Sequence, residues 1–142
     1  MIGCSACLLG VACRYDGKSK PDNTVIEFSK KERLFRFCPE LLGGLPAPRA
    51  RSEIRGDKVI NEHGEDITEF LKIGAEKVLD LLLKRNIKKV ILKQNSPSCG
   101  CGIIYDGTFT GRLIKGDGIT TALLKKNGIE VVSEKELCKD RI

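Results

Sequence analysis

Asp66-Ile-Thr-Glu-Phe-Leu-Lys-Ile-Gly-Ala-Glu-Lys-Val-Leu-Asp-Leu-Leu-Leu-Lys-Arg-Asn86, followed two residues later by Lys89-Val-Ile-Leu-Lys93, decides the fold class. In the first stretch Ile67, Phe70, Leu71, Gly74, Ala75, Val78, Leu81 and Leu82 recur at helical spacing. Asp66 is placed to cap the helix, which runs to about Arg85, and Asn86 to end it in a left-handed conformation. The second stretch is too short and too β-branched for a helix and reads as a strand. The pattern recurs downstream. Gly116-Asp-Gly118 precedes an amphipathic helix from Ile119 to Lys126, Asn127-Gly128 ends it, and Ile129-Glu-Val-Val132 reads as a strand. A helix followed by a short strand, twice over, predicts βαβ units and a mostly parallel sheet.

Upstream, Met1 to Cys7 reads as a short strand of small residues entering a Gly-containing loop. Cys13-Arg-Tyr-Asp-Gly17 and Pro21-Asp-Asn23 are turn chemistry. Asn23 or Thr24 caps a helix expected to reach Lys31. Leu34-Phe-Arg-Phe-Cys38 alternates and stops at Pro39, so it is a strand whose exit loop is Pro39–Pro48. Lys58-Val-Ile60 is expected as a small edge strand, Tyr105–Gly111 as a turn-rich excursion or hairpin, and Ser133–Ile142 as a short terminal helix. The expected architecture is α/β: a single three-layer, Rossmann-like domain over residues 1–142, with a mostly parallel sheet whose strand order the sequence leaves open.

With 142 residues the chain is long enough to bury a substantial core. No run is long enough to cross a bilayer, and the first residues lack the basic and apolar regions of a secretory signal. A cytoplasmic, reducing setting is therefore expected, in which seven cysteines point to metal or redox chemistry rather than a disulfide framework. The formal charge of +6 suits an anionic ligand such as a nucleotide, although the basic residues form no long run. Absence of Trp and an aromatic content of 5% argue against an independent single-strand nucleic-acid platform.

Three cysteines occupy distinctive loops: Cys7 in Ser5-Ala-Cys-Leu-Leu-Gly10, Cys38 in Cys38-Pro-Glu40, and Cys99 in Ser96-Pro-Ser-Cys-Gly100. Each lies where a strand-like run gives way to a loop. Loops at the carboxyl ends of parallel strands converge on one crevice. Three thiolates meeting there could hold an iron–sulfur cluster or a metal and leave a position for substrate. Glu40, two residues beyond Cys38, is then a candidate general base. Ser96 and Ser98 supply hydroxyls beside Cys99, and Arg49 is the best-placed holder of an anion. A competing set, Cys4, Cys7, Cys99 and Cys101, would make a structural zinc site with no catalysis. Otherwise Cys4, Cys13, Cys101 and Cys138 read as small buried hydrophobes. A third reading is an RNA-binding module.

Taken together, Ser5–Gly10, Cys13–Gly17, Cys38-Pro-Glu-Leu-Leu-Gly-Gly-Leu-Pro-Ala-Pro-Arg49, Ser96–Gly100, Tyr105–Gly111 and Gly118-Ile-Thr-Thr-Ala-Leu-Leu124 resemble the thiouracil desulfidase family in its short form. The resemblance covers nearly the whole chain. It implies a [4Fe–4S] cluster held by three cysteines, matching Cys7, Cys38 and Cys99, with the fourth iron open to the sulfur of a substrate. It further implies removal of sulfur from a thiolated pyrimidine without net redox change, with Glu40 and Ser98, or Ser96 in place of Ser98, in the acid–base and hydrogen-bonding roles; Ser96 and Arg49 are read as substrate-binding. The partner so implied is a small thiopyrimidine or its nucleotide, with thiolated tRNA as the alternative, and no membrane.

Overall fold

A computed structural model describes residues 1–140, with side chains through Leu137. Residues 141 and 142 and the side chain of Cys138, read from sequence as a buried hydrophobe, lie outside the described residues. The central sheet has four parallel strands, β1 (Ile2–Ser5), β2 (Leu34–Phe37), β5 (Lys89–Leu92) and β8 (Glu130–Ser133), in the order β2-β1-β5-β8. The mixed α/β class with a parallel sheet flanked by helices is thus as expected from the helix–strand repeats.

Strand alternation divides the core in two. Phe37, Val90, Leu92 and Val131 point to one side, where they pack on Val78 and Leu82 of α3 (Thr68–Lys84) and Leu124 of α4 (Ile119–Lys126). Cys4, Ile91 and Val132 point to the other, against Val25 of α1 (Asn23–Ser29) and Leu137 of α5 (Glu134–Asp140). The crossover from β1 to β2 carries α1, and that from β2 to β5 carries α3 on the opposite face. The sheet therefore reverses its winding between β1 and β5, the place where open parallel sheets bind ligands.

Local differences from the sequence expectations have simple causes. α1 is capped by Asp22, whose carboxylate accepts from the Val25 amide at 3.0 Å, so neither Asn23 nor Thr24 is the cap. α3 starts at Thr68 rather than immediately after Asp66. Asp66 instead accepts from the Thr68 amide, while the Thr68 hydroxyl accepts from the Val59 amide of β4 (Lys58–Asn61) and ties the helix start to that strand. Asn86 does end α3 with φ 55°. β4 is the small edge strand expected at 58–60; it pairs with β3 (Ser52–Arg55) in an antiparallel ribbon separate from the central sheet. The Tyr105–Gly111 segment is the turn of a hairpin between β6 (Ile103–Tyr105) and β7 (Leu113–Lys115).

The stretch read as an exit loop after β2 begins with one helical turn, α2 (Pro39–Leu42), with Pro39 at its first position, where the missing N–H costs nothing. α2 crosses α3 backbone to backbone. A Cβ built on Gly43 would run into the Phe70 carbonyl, and one built on Gly74 into the Pro39 carbonyl. Only a glycine pair allows this approach, and it seats the start of α2 at the carboxyl end of β2.

Candidate metal centre and active site

Three strand ends deliver the three loop cysteines to one cavity of ≈ 280 Å³ at the carboxyl edge of the sheet. β1 runs into a 3-10 turn, Ala6–Leu9, which carries Cys7. β2 ends at Cys38, the N-cap position of α2. β5 leads into the 94–100 loop, which carries Cys99. Cys7 and Cys99 thus stand on the two strands that flank the winding reversal, and Cys38 on the next strand out. Cys13 also lines the cavity: this cysteine, read from sequence as a small buried hydrophobe or an alternative ligand, is buried at 2% exposure and belongs to the site wall.

The Cys99 loop is fixed by neighbours on both sides. The Ser96 hydroxyl oxygen accepts from the amides of Ser98 and Cys99, both at 3.1 Å. The Thr121 hydroxyl donates to the Cys99 carbonyl at 2.9 Å, and the Ile119 and Thr120 amides donate to the carbonyls of Pro97 and Ser98. The first amides of α4 are thereby taken by the cysteine loop. Asp117 does not cap that helix, since its carboxylate accepts from the Gly102 amide and pairs with Lys125. Gly118 lies so close to the Ser98 carbonyl that any side chain there would displace the loop.

The two serines part company here. Ser96 lines the cavity. Ser98 is fully buried, its hydroxyl 2.8 Å from that of Thr120, and it does not line the cavity. Its reach is toward the sulfur of Cys99. Burial pushes the Cys99 thiol up to about 12, and the hydroxyls of Ser5 and Ser98 work in the opposite direction by hydrogen bonding to it. Cys38 is held well above the ordinary thiol range by its hydrogen bond with the Cys13 thiol and then by burial. Both shifts favour the protonated thiol, so a metal bound by these cysteines would have to displace their protons.

Glu40, at the second position of α2, lines the same cavity. Its Oε2 accepts from Arg49 Nη2 at 2.9 Å. Arg49, expected to hold an anion, lines the cavity too, but the other end of its fork, Nη1, donates to the carbonyls of Cys13 and Pro46, each at 3.0 Å. Sequence reasoning did not single out Glu53, Tyr15 or Tyr105 as parts of this wall. Glu53 is 4% exposed and its Oε1 accepts from the Gly107 and Phe109 amides, which pins the β6–β7 turn against β3. Arg55 completes the clamp by donating to the Gly107 carbonyl. A lone glutamate in a strand carries no sequence signal, because its partners lie more than fifty residues away.

The structure does not assemble the zinc set. Cys4 is fully buried in the α1/α5 core, whereas Cys101 packs in the α3/α4 core with its Sγ 3.7 Å from the Val131 carbonyl. Among the described residues no group of three or more His, Cys, Asp or Glu converges on one ion position. A cluster makes a different demand, since the cubane itself spans the gap between its thiolates. Cys4→Ala is accordingly expected to leave metal content unchanged and to cost about 1 kcal/mol of stability, while Cys38→Ala abolishes metal binding. Metal analysis beside urea unfolding checks both. A zinc site built on Cys4 would give the reverse pattern.

The sequence pattern of the 2-thiouracil desulfurase family matches residues 2–136. The chain is 44% identical over 147 aligned positions to the uncharacterized protein YbbK of Bacillus subtilis (strain 168), covering 96% of this chain and 97% of that one. It is similar in structure to the [4Fe-4S]-dependent thiouracil desulfidase TudS (DUF523Vcz), with a TM-score of 0.91, 46% identity, and coverage of 97% of this chain and 93% of that one. Among the described residues no helix is long and apolar enough to cross a membrane.

Proposed function

The chain belongs to the 2-thiouracil desulfurase family, and on that premise we propose that it removes the sulfur of a thiolated pyrimidine as hydrosulfide, leaving the oxo-pyrimidine. It is an enzyme of thiouracil desulfuration. The finer reading is that thiouracil, thiouridine or a thiolated uridine nucleotide is the substrate. Cys7, Cys38 and Cys99 would hold a [4Fe–4S] cluster. The donor set suits that group: the cavity wall carries thiols and no imidazole, and its three loop cysteines come from three separate strand ends. When bound, the cluster supplies a Lewis-acidic iron without a cysteine partner, which polarises the thiocarbonyl.

The chain's own residues account for the remaining steps. Glu40 Oε2 is held by Arg49, and its other oxygen, Oε1, has no protein partner among the described residues. That oxygen is free to take the proton of a water as the water attacks the thiocarbonyl carbon. A carbon–oxygen bond forms, the carbon–sulfur bond breaks, and the sulfur leaves with the electron pair, so no electron is gained or lost overall. The Ser96 hydroxyl, which accepts from two amides, keeps its own hydrogen to donate toward the polar edge of the pyrimidine. Ser98 acts through Cys99, whose sulfur it supports. Tyr15 and Tyr105 supply the aromatic part of the wall. Arg14 and Lys93 also line it, each paired within the protein, with Asp16 and Glu134 respectively.

The observation that carries this reading is the convergence of the three loop cysteines and Glu40 on one cavity. It is tested with anaerobically reconstituted protein and 2-thiouracil, 4-thiouracil, 4-thiouridine and 4-thiouridine monophosphate. Equimolar oxo-pyrimidine and hydrosulfide from at least one of them, with no added oxidant or reductant, is the expected result. No hydrosulfide from any, or a requirement for an electron donor, would contradict the reading.

A further inference from the structure

We infer that Arg49 is the positioning residue of this site: it fixes the Glu40 carboxylate against the Cys13 segment, and does not itself hold the substrate. The inference rests on the proposed role of Glu40 as proton acceptor. Arg49 is 6% exposed at its side chain and Glu40 15%. A pair so buried gains from further hydrogen bonds to its members. Here Nη2 donates to Glu40 Oε2 at 2.9 Å, and Nη1 to the carbonyls of Cys13 and Pro46 at 3.0 Å. The Arg49 amide donates to the Tyr15 carbonyl. One residue thus joins three segments: 13–15 after β1, the Cys38–Glu40 start of α2, and 46–49. The Cys13 carbonyl also receives the Cys38 thiol, at 3.8 Å, so the joint sits directly beside a cluster ligand.

Holding a substrate anion needs unspent charge, and Glu40 neutralises that of the Arg49 guanidinium, three of whose five N–H groups are engaged within the protein. Its Nε is buried without a partner. A buried donor left unpaired is unfavourable, so the Nη contacts dictate where the guanidinium lies. The planar fork reaches Glu40 and two carbonyls at once, which a lysine ammonium cannot reproduce in the same plane. By occupying Oε2, Arg49 leaves Oε1 as the oxygen that faces a water. Loss of the fork should leave substrate binding intact and misalign the base, an effect of about 100-fold on rate for a displacement near 1 Å.

The test compares Arg49→Gln, Arg49→Lys, Glu40→Gln and the Arg49→Gln/Glu40→Gln double variant, each reconstituted anaerobically and assayed with 2-thiouracil. Arg49→Gln is expected to lower kcat by about 100-fold with KM changed less than about threefold, and Arg49→Lys to lie between it and the parent. In the Glu40→Gln background, Arg49→Gln should add less than about threefold, because it acts through Glu40. Amide hydrogen exchange in the cluster-free proteins gives a readout independent of turnover. Segments 13–16 and 38–45 should exchange faster in Arg49→Gln than in the parent. A raised KM at unchanged kcat, full additivity with Glu40→Gln, or unaltered exchange in both segments would overturn the inference. If Arg49→Gln does not fold, Arg49→Lys carries the same comparison, and parent-like kcat in it overturns the inference. If the parent itself releases no hydrosulfide, the desulfidase reading fails, and the exchange data alone decide whether Arg49 joins these segments.

Discussion

Glu40→Gln is expected to keep the parent's iron and sulfide content while slowing hydrosulfide release by about 10²–10⁴-fold. Glutamine preserves the shape of the side chain and an oxygen for Arg49 Nη2, so α2 and its Cys38 should stay in place. What it removes is a proton acceptor beside the cavity. The size of the effect follows from general-base catalysis, because water alone is a poor nucleophile toward a thiocarbonyl carbon. Measured as single-turnover release of hydrosulfide beside iron analysis, the variant separates two roles. Retained iron with lost turnover identifies Glu40 as chemical. Lost iron would make it structural, and unchanged turnover would remove it from the mechanism.

Gly74→Ala should be among the most damaging single methyl additions to this chain. Its Cβ would enter the space of the Pro39 carbonyl, which belongs to rigid backbone and cannot rotate aside. Gly43 faces Gly74 from the other helix, with the Phe70 carbonyl against it, so neither helix has room to retreat. Overpacking of this kind costs about 3 kcal/mol, at the upper end of its usual range. The displaced element is α2, which presents both Cys38 and Glu40. The expected result is therefore a lowered urea midpoint together with weakened iron retention. A variant as stable as the parent and equally able to hold iron would mean that α2 is not seated on α3 as described.

The sequence exposed the parts of this fold that repeat. Helix α3 and strand β5 were legible because seventeen residues of helix show their period and a Val-Ile-Leu run shows its lack of one. The three cysteine loops were legible because each combines cysteine with Gly or Pro at a strand end. Helix α2 was not, since four residues beginning with proline cannot display a helical period. The strand order was hidden because parallel pairing leaves no mark in local sequence, and it alone explains why Cys7 and Cys99 become neighbours across the β1/β5 boundary.

Within the site, chemistry was legible and partnership was not. Arg49 advertised a positive charge, but only the fold reveals that Glu40 and two carbonyls consume it. Ser96 and Ser98 are equivalent by composition. A turn that directs one to the cavity wall and the other into Thr120 separates them. Cys4 and Cys7 invited pairing as a metal half-site. The change from strand to 3-10 turn after Ser5 leaves Cys4 in the core and Cys7 in the cavity wall.

The most direct test of the account is iron and acid-labile sulfide per chain after strictly anaerobic reconstitution, measured for the parent and for a Cys7/Cys38/Cys99→Ala variant. About four of each in the parent and almost none in the variant is the predicted result. Zinc alone, no metal at all in the parent, or a variant that loads like the parent would contradict a cluster held by these three cysteines.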